Sequence, residues 1–471
     1  MARLYPFRAL RYDPARVNME AVVTQPYDKI TPAMQQRYYE ASPYNLVRVI
    51  LGKHEPGDTE PQEFLPPGEK AHNVYTRAAE YLHTWRKDHI LAEESEPAIY
   101  GYSQTYTVPG TSAAAGKPET RERRGFIALG HLYDYADKVV YRHEQTFPKH
   151  KSDRLALFKA TRAYCEQIYM LYSDPAFTAE KLIFGSNGQD PDKSPADLSI
   201  TDEYNVVHRV WKLTDPNLIN LLLTAMRDKK LIIADGHHRY ETSVAYAKER
   251  GAQLKLPLNQ PRDEDEKLSP SHLPVPAFPE AAMMMTFVNM DAPGITILPT
   301  HRVVNGIENF SSPDFITKAS AFFTITEIAG PSPAAELIAR LNQTPGDSFV
   351  AVTGDGNYIL TPKPEAIAPL LAGLPPKQRQ LGVAQLHTIV LDHLLGLTED
   401  KIRATGNIQY LREADEAVSL VDSGEANIAF LIKPITLDQL KDVSLSGEVM
   451  PQKSTDFYPK LLSGLAIYAL D

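Results

Sequence analysis

The segment Leu231–Gly251, LIIADGHHRYETSVAYAKERG, admits few folds. An apolar run of strand length enters Asp235-Gly236, and the residues that follow carry Val244 and Ala247 at helical spacing. Strand, glycine turn and helix in that order belong to a chain that mixes the two kinds of element, and we read the fold as α+β (mixed α/β). The turn puts His237, His238 and Arg239 in the opening turn of the helix, where backbone N–H groups and the positive end of the helix dipole gather. A guanidinium and two imidazoles at such a point make an anion site. Asp235 ends the strand at the edge where open sheets bind ligands, and can hold a metal or accept a proton. The structural alternative is that Asp235 caps the helix and the histidines stabilise a turn.

Two further stretches have related chemistry. KVVYRHEQTFPKHKSDR (138–154) holds five Lys/Arg and two acids, a surplus of +3 in a chain whose net charge is −10. There His143 and Glu144 offer acid–base chemistry, and Lys151 and Arg154 can reach a phosphate. Its plain reading is a solvated basic loop before a helix. No histidine follows Glu144 at the spacing a zincin needs. MPQKSTDFYPKLLSG (450–464) supplies Lys453, Ser454, Thr455 and Lys460 as donors to phosphate oxygens, without the glycines of a Walker A loop. LPTHR (298–302) and QPYD (25–28) carry weaker signals and add His301, Arg302 and Asp28 as candidates. One phosphate cluster would explain all three main stretches, so 231–242, 138–154 and 450–460 are expected to converge on one pocket, with Arg239 at an exposed helix start.

The remaining sequence bounds the setting. At 471 residues, the chain is long enough for two ordinary domains. With 43% hydrophobic and 23% charged residues, it is neither disordered nor fibrous. The acidic balance argues against a nucleic-acid partner, and no apolar run is long enough to span a bilayer. A single cysteine, Cys165, fits a reducing compartment, and a cytoplasmic location is expected. Residues 72–90 predict an amphipathic helix, and 152–172 a second that would include Cys165. AIYGYSQTY and GFIALGHLY predict a hairpin around 107–124, and the runs at 231–234, 348–354, 357–361 and 428–432 predict strands. Gly251 and Gly424 read as helix stops. The proline-rich, charged stretch 252–280 reads as a mobile linker between an N-terminal α/β domain (1–251) and a C-terminal one (281–471).

ADGHHRYETS, RHEQTFPKHKSDR, LPTHR and MPQKSTDFYPKLLSGL, with PFRALRY, TQPYDKI and SPYNLVRVIL near the start, resemble a bacterial and archaeal family of unknown function, number one thousand and fifteen. The resemblance covers nearly the whole chain, with 107–124 and 252–280 as elaborations. More distantly, the strand-Asp-Gly-His-His-Arg-helix motif is similar to the phosphate motif of the ParB, sulfiredoxin and free-serine-kinase superfamily. That resemblance implies a nucleotide-binding core, with Gly236, His238 and Arg239 on the nucleotide phosphates. His237 stands where sulfiredoxins have a reactive cysteine, so sulfinic-acid reduction is not implied. It implies instead a kinase-like phosphotransferase for a small hydroxylated metabolite such as serine, using a nucleoside di- or triphosphate with Mg²⁺. Its base would be Asp28, Glu144 or Asp235; His237, His238 and Arg239 would stabilise the transferred group, Asp235 would bind metal or orient the hydroxyl, and Lys453 and Lys460 would complete the cradle. The alternatives are a nucleotide sensor without turnover, and a metal-dependent hydrolase.

Overall fold

In a computed structural model of the protein, Leu231–Asp235 is a strand and His237–Leu254 a helix, joined through Gly236 in the left-handed conformation (φ 95°). The structure describes residues 1–66, 68–110, 118–144, 146, 148–185, 195–258, 272–330 and 332–471. The chain forms two compact units: Met1–Tyr141, Thr146–Ile295 and Pro459–Asp471 make the first, Arg142–Gln145 and Thr296–Tyr458 the second.

The first unit is organised by a nine-stranded mixed sheet. In chain order its strands are β1 (Leu4–Tyr5), β2 (Ile99–Thr107), β3 (Thr120–His131), β4 (Val140–Tyr141), β5 (Ile168–Tyr172), β6 (Leu198–Thr201), β7 (Val207–Leu213), β8 (Leu231–Asp235) and β9 (Ala282–Asn289). They lie in the order β4-β8-β5-β9-β3-β2-β7-β6, and β1 pairs with β3. β8 is parallel to β4 and β9 to β5, and the other pairs are antiparallel. All eight residues of β9 are buried. A strand covered on both faces has no reason to alternate, so Met283, Met284 and Met285 follow one another in the core. β2 and β3 form the expected hairpin, with Thr107 opposite Thr120; its tip, 111–117, lies outside the described residues.

Three helices bear on the site. The helix α1 (Val74–Lys87) starts at a capping box between Asn73 and Thr76, close to the expected span. α2 (Pro148–Thr161) ends earlier than expected, and Ala163–Tyr164 and β5 follow as strands. Cys165 is therefore buried between two strands instead of inside a helix. The five consecutively buried residues of β5 lack the period-two signature of a strand. α3 (His237–Leu254) passes through Gly251 and stops at Lys255, whose left-handed backbone ends it.

Because β8 and β9 share one sheet, 252–280 joins two parts of the same unit, and the chain divides after Ile295 instead. Much of the stretch read as a mobile linker, 259–271, lies outside the described residues. The second unit carries an antiparallel six-stranded sheet of β10 (His301–Val304), β11 (Phe323–Ile328), β12 (Phe349–Thr353), β13 (Gly356–Pro362), β14 (Ile408–Leu411) and β15 (Ile428–Leu431), in the order β11-β13-β12-β15-β10-β14. Leu337, Leu341, Ala417 and Val421 from two helices pack on Val350, Val352, Ala429 and Leu431. Among the described residues no helix is long and apolar enough to cross a membrane.

Gly294 shows how tightly the first unit closes. Its φ of 91° is left-handed, and a Cβ there would run into the Glu122 carbonyl oxygen of β3. Gly294→Ala should therefore lower stability by about 2–4 kcal/mol, from left-handed strain and overpacking together. A denaturant midpoint unchanged from wild type would contradict this account of the turn.

Candidate functional site

Asp235 ends β8 and is partly exposed, with 22% of its side chain accessible. Its two oxygens face two cations: Arg239 Nη2 donates to Oδ2 at 2.9 Å, and Lys460 Nζ to Oδ1 at 3.1 Å. These charges, with Lys29 nearby, hold its carboxyl well below the usual carboxylate range against the opposing effect of its partial burial. The carboxylate is thus ionised across the physiological range. Gly236 caps α3 without a side-chain bond. A Cβ on Gly236 would come within 3.1 Å of both Arg239 Nη2 and Ile168 Cδ1, so the turn needs glycine for space as well as for φ.

Arg239 is not the exposed phosphate grip that the sequence suggests. It is only 4% exposed, with its head group turned toward the start of β5. There Nη1 donates to the Gln167 carbonyl oxygen at 2.6 Å and lies 3.8 Å from Glu166. Glu166 is as buried, at 4% exposure. It accepts from the Tyr27 backbone N–H at 3.0 Å and faces Arg154 at 3.6 Å. Burial pushes the Glu166 carboxyl up, against the pull of Arg239 and Arg154. One guanidinium therefore neighbours two carboxyl groups whose affinities for protons are driven apart, a pattern common in acid–base sites.

Arg154 is also enclosed. It donates to Ile50 O at 2.7 Å and to Asp153, and lies over the Tyr27 ring at 4.0 Å, which leaves it placed for support and not for phosphate. Tyr27–Lys29 is a single 3₁₀ turn that brings Asp28 and Lys29 to this cluster, Asp28 being exposed and near enough to act on Arg239 and Glu166. Lys151 pairs with Glu241, which also accepts from Thr146 at 2.6 Å and Tyr135 at 3.0 Å. Residues 239 and 241 are about 200° apart around the helix, so Lys151 does not join the Arg239 head group. His237 is buried, and His238 partly exposed in the same turn.

The other candidates belong to the second unit, so the three stretches expected in one pocket are divided between the units. There His143 Nε2 meets Thr455 Oγ1 at 2.8 Å, its carbonyl accepts from Met450 N at 2.7 Å, and Glu144 bridges Met450. Lys453 is exposed with a left-handed backbone, and Ser454 is buried. His301 and Arg302 are buried in β10; burial and Arg302 bring His301 down to about 4.

Glu166, Gln167 and Lys29 escaped the sequence reading. Glu166 is the only acid in YCEQIYMLY, and a strand reading of that run would have made a buried carboxylate conspicuous.

Two outcomes follow. Arg239→Lys keeps the charge but leaves the Gln167 carbonyl or Asp235 without its donor, and should destabilise by about 1–3 kcal/mol; a melting temperature equal to wild type would show that the strut is dispensable. The Asp235 carboxyl is depressed in the folded state, so its stabilising contribution is present above the unfolded value near ~4. It is lost as pH falls through the lower folded value. The stability gap between wild type and Asp235→Asn should be level from about pH 5 to 8 and narrow below about pH 4 in denaturant titrations. A gap that widens on acidification would reverse this assignment.

No curated protein matches the chain. Among solved structures, a free serine kinase in complex with AMP is 11% identical over 71% of this chain and 86% of its own, with a TM-score of 0.32. A conserved hypothetical protein from Pyrococcus furiosus is 11% identical over 72% and 92%, TM-score 0.32. SbnI from Staphylococcus aureus, truncated at its C-terminus, is 12% identical over 72% and 85%, TM-score 0.33. Likeness at that level carries no functional argument. Family membership has a firmer basis: the family described as protein of unknown function DUF1015 matches residues 4–384, and the chain belongs to it.

Proposed function

We propose that this protein is a nucleotide-dependent, Mg²⁺-assisted phosphotransferase acting on a small hydroxylated metabolite such as serine. One observation carries the reading: an ionised, partly exposed carboxylate, Asp235, held between Lys460 and Arg239 where a strand turns through glycine into an eighteen-residue helix. In this reading Lys29, Lys460, His238 and the positive end of α3 receive phosphate oxygens. Asp235 orients the acceptor hydroxyl, and Asp28, exposed on its turn, takes the proton. Arg239 and Arg154 are positioning residues.

Among the described residues no group of three or more His, Cys, Asp or Glu could hold a metal by itself. Mg²⁺ commonly keeps several waters and binds through nucleotide phosphates and one or two carboxylates, and Asp28 and Asp235 are oxygen donors of that kind. When bound, the ion neutralises charge on the transferred phosphoryl group.

The test is calorimetric titration with ATP, ADP and CTP in Mg²⁺, together with ³¹P detection of product when serine is the acceptor. Lys460→Met should weaken the preferred nucleotide about 10-fold or more, about 1.4 kcal/mol, while circular dichroism is retained. If wild type binds none of the three, the reading is wrong. Binding without turnover on any hydroxylated acceptor would make the protein a nucleotide sensor.

A further inference from the structure

The second unit contains a cavity of about 270 Å³, walled on one side by Leu386–Leu394, which is wound as a π-helix. Backbone bonding of that kind is rare and recurs at functional sites. His387 of this helix and Gln452 both line the cavity, and both are partners of Arg302. Arg302 is completely buried. Its Nε donates to His387 Nε2 at 3.2 Å, Nη2 donates to Gln452 O at 3.3 Å, and Nη1 donates to Thr300 O. Its guanidinium lies 5.0 Å from the centre of the Tyr410 ring. Among the described residues no carboxylate reaches it within ion-pair distance; Glu144 acts only from further away. A buried guanidinium without a counter-charge is unfavourable, and burial brings Arg302 down to about 10.

That arrangement fixes the neighbouring imidazole. Since His387 Nε2 accepts from Arg302, the neutral ring carries its proton on Nδ1. Burial and the adjacent positive charge both hold His387 neutral. Nδ1 has no protein partner among the described residues, and the ring lines the cavity. The cavity wall therefore offers a fixed N–H donor backed by an uncompensated positive charge, which suits an anionic oxygen. Two exposed carboxylates, Asp392 and Glu399, also line the cavity and suit a cation. Leu397, Ile402 and Met450 supply apolar wall. The volume is below the ~300–1,000 Å³ of pockets for drug-sized ligands.

We propose that this cavity is a second ligand site that takes a small apolar zwitterion, a free amino acid, with its carboxylate on His387 Nδ1–H and its ammonium toward Asp392 and Glu399. The proposal is independent of the phosphotransferase reading, since every residue in it belongs to the second unit. The test titrates the full chain with L-leucine, with 4-methylpentanoate, which lacks the amine, and with isoamylamine, which lacks the carboxylate. L-Leucine should bind saturably and raise the melting temperature, and each half-molecule should bind at least ten-fold more weakly. His387→Phe should abolish binding. Thr388→Trp, which fills the cavity from a partly exposed wall position and leaves the charges in place, should do the same with circular dichroism unchanged. Absence of L-leucine binding to wild type, equal binding of either half-molecule, or undiminished binding by a folded Thr388→Trp protein would overturn the proposal.

Discussion

The Arg239 guanidinium ties together parts of the first unit that the chain order keeps apart. Through Nη1 it holds the backbone oxygen just before β5, and through Nη2 the carboxylate that ends β8. Those strands are neighbours in the sheet, so a displaced guanidinium would loosen the edge on which the site is built. Such a group can stay buried because acidic oxygens and a carbonyl surround it, the condition under which interior charge is tolerated. Gly236 belongs to the same constraint, since a side chain at that turn would press on the arginine.

The cluster divides its chemistry by depth. Glu166 is enclosed by two arginines and the Tyr27 N–H, a geometry that fixes backbone more than it meets ligand. Asp235 keeps access to solvent and has two cations to keep it charged. Lys29 and Asp28 arrive on a turn of only three residues, anchored through Tyr27 N to Glu166. The rigid groups thus lie beneath the accessible ones, as support for a site that must hold its shape while a ligand exchanges.

Local features were legible in the sequence and long-range ones were not. The strand, glycine and helix around 231–254 could be read because strand length, turn residue and helical spacing all occur within twenty-odd residues. The run at 163–172 could not, because a strand buried on both faces has the same apolar density as a helix. Gly251 reads as a stop, but the helix runs on to Leu254 and ends at Lys255 in the left-handed conformation. The sequence marks Lys460 as a useful cation, whereas its pairing with Asp235 is set by the fold. Arg239 departs furthest from its local signal: a cation at a helix start suggests solvent, and it is bonds to Gln167 and Asp235 that hold it inward. QPYD looked weak because a single 3₁₀ turn leaves no periodic trace.

The return of the chain's last segment to the first unit has a consequence in time. Ser463 pairs with Thr24, Ile467 bridges Leu10, and Lys460 reaches Asp235 across 225 positions of sequence. At about 5–20 residues per second, a ribosome takes roughly 10–45 s to make that interval. Throughout it, the nascent first sheet has Asp235 without Lys460, while Thr296–Tyr458 of the second unit is synthesised. The site is completed only after that stretch is made, and a chain interrupted anywhere in Thr296–Tyr458 would carry the glycine turn and its arginine but not the lysine.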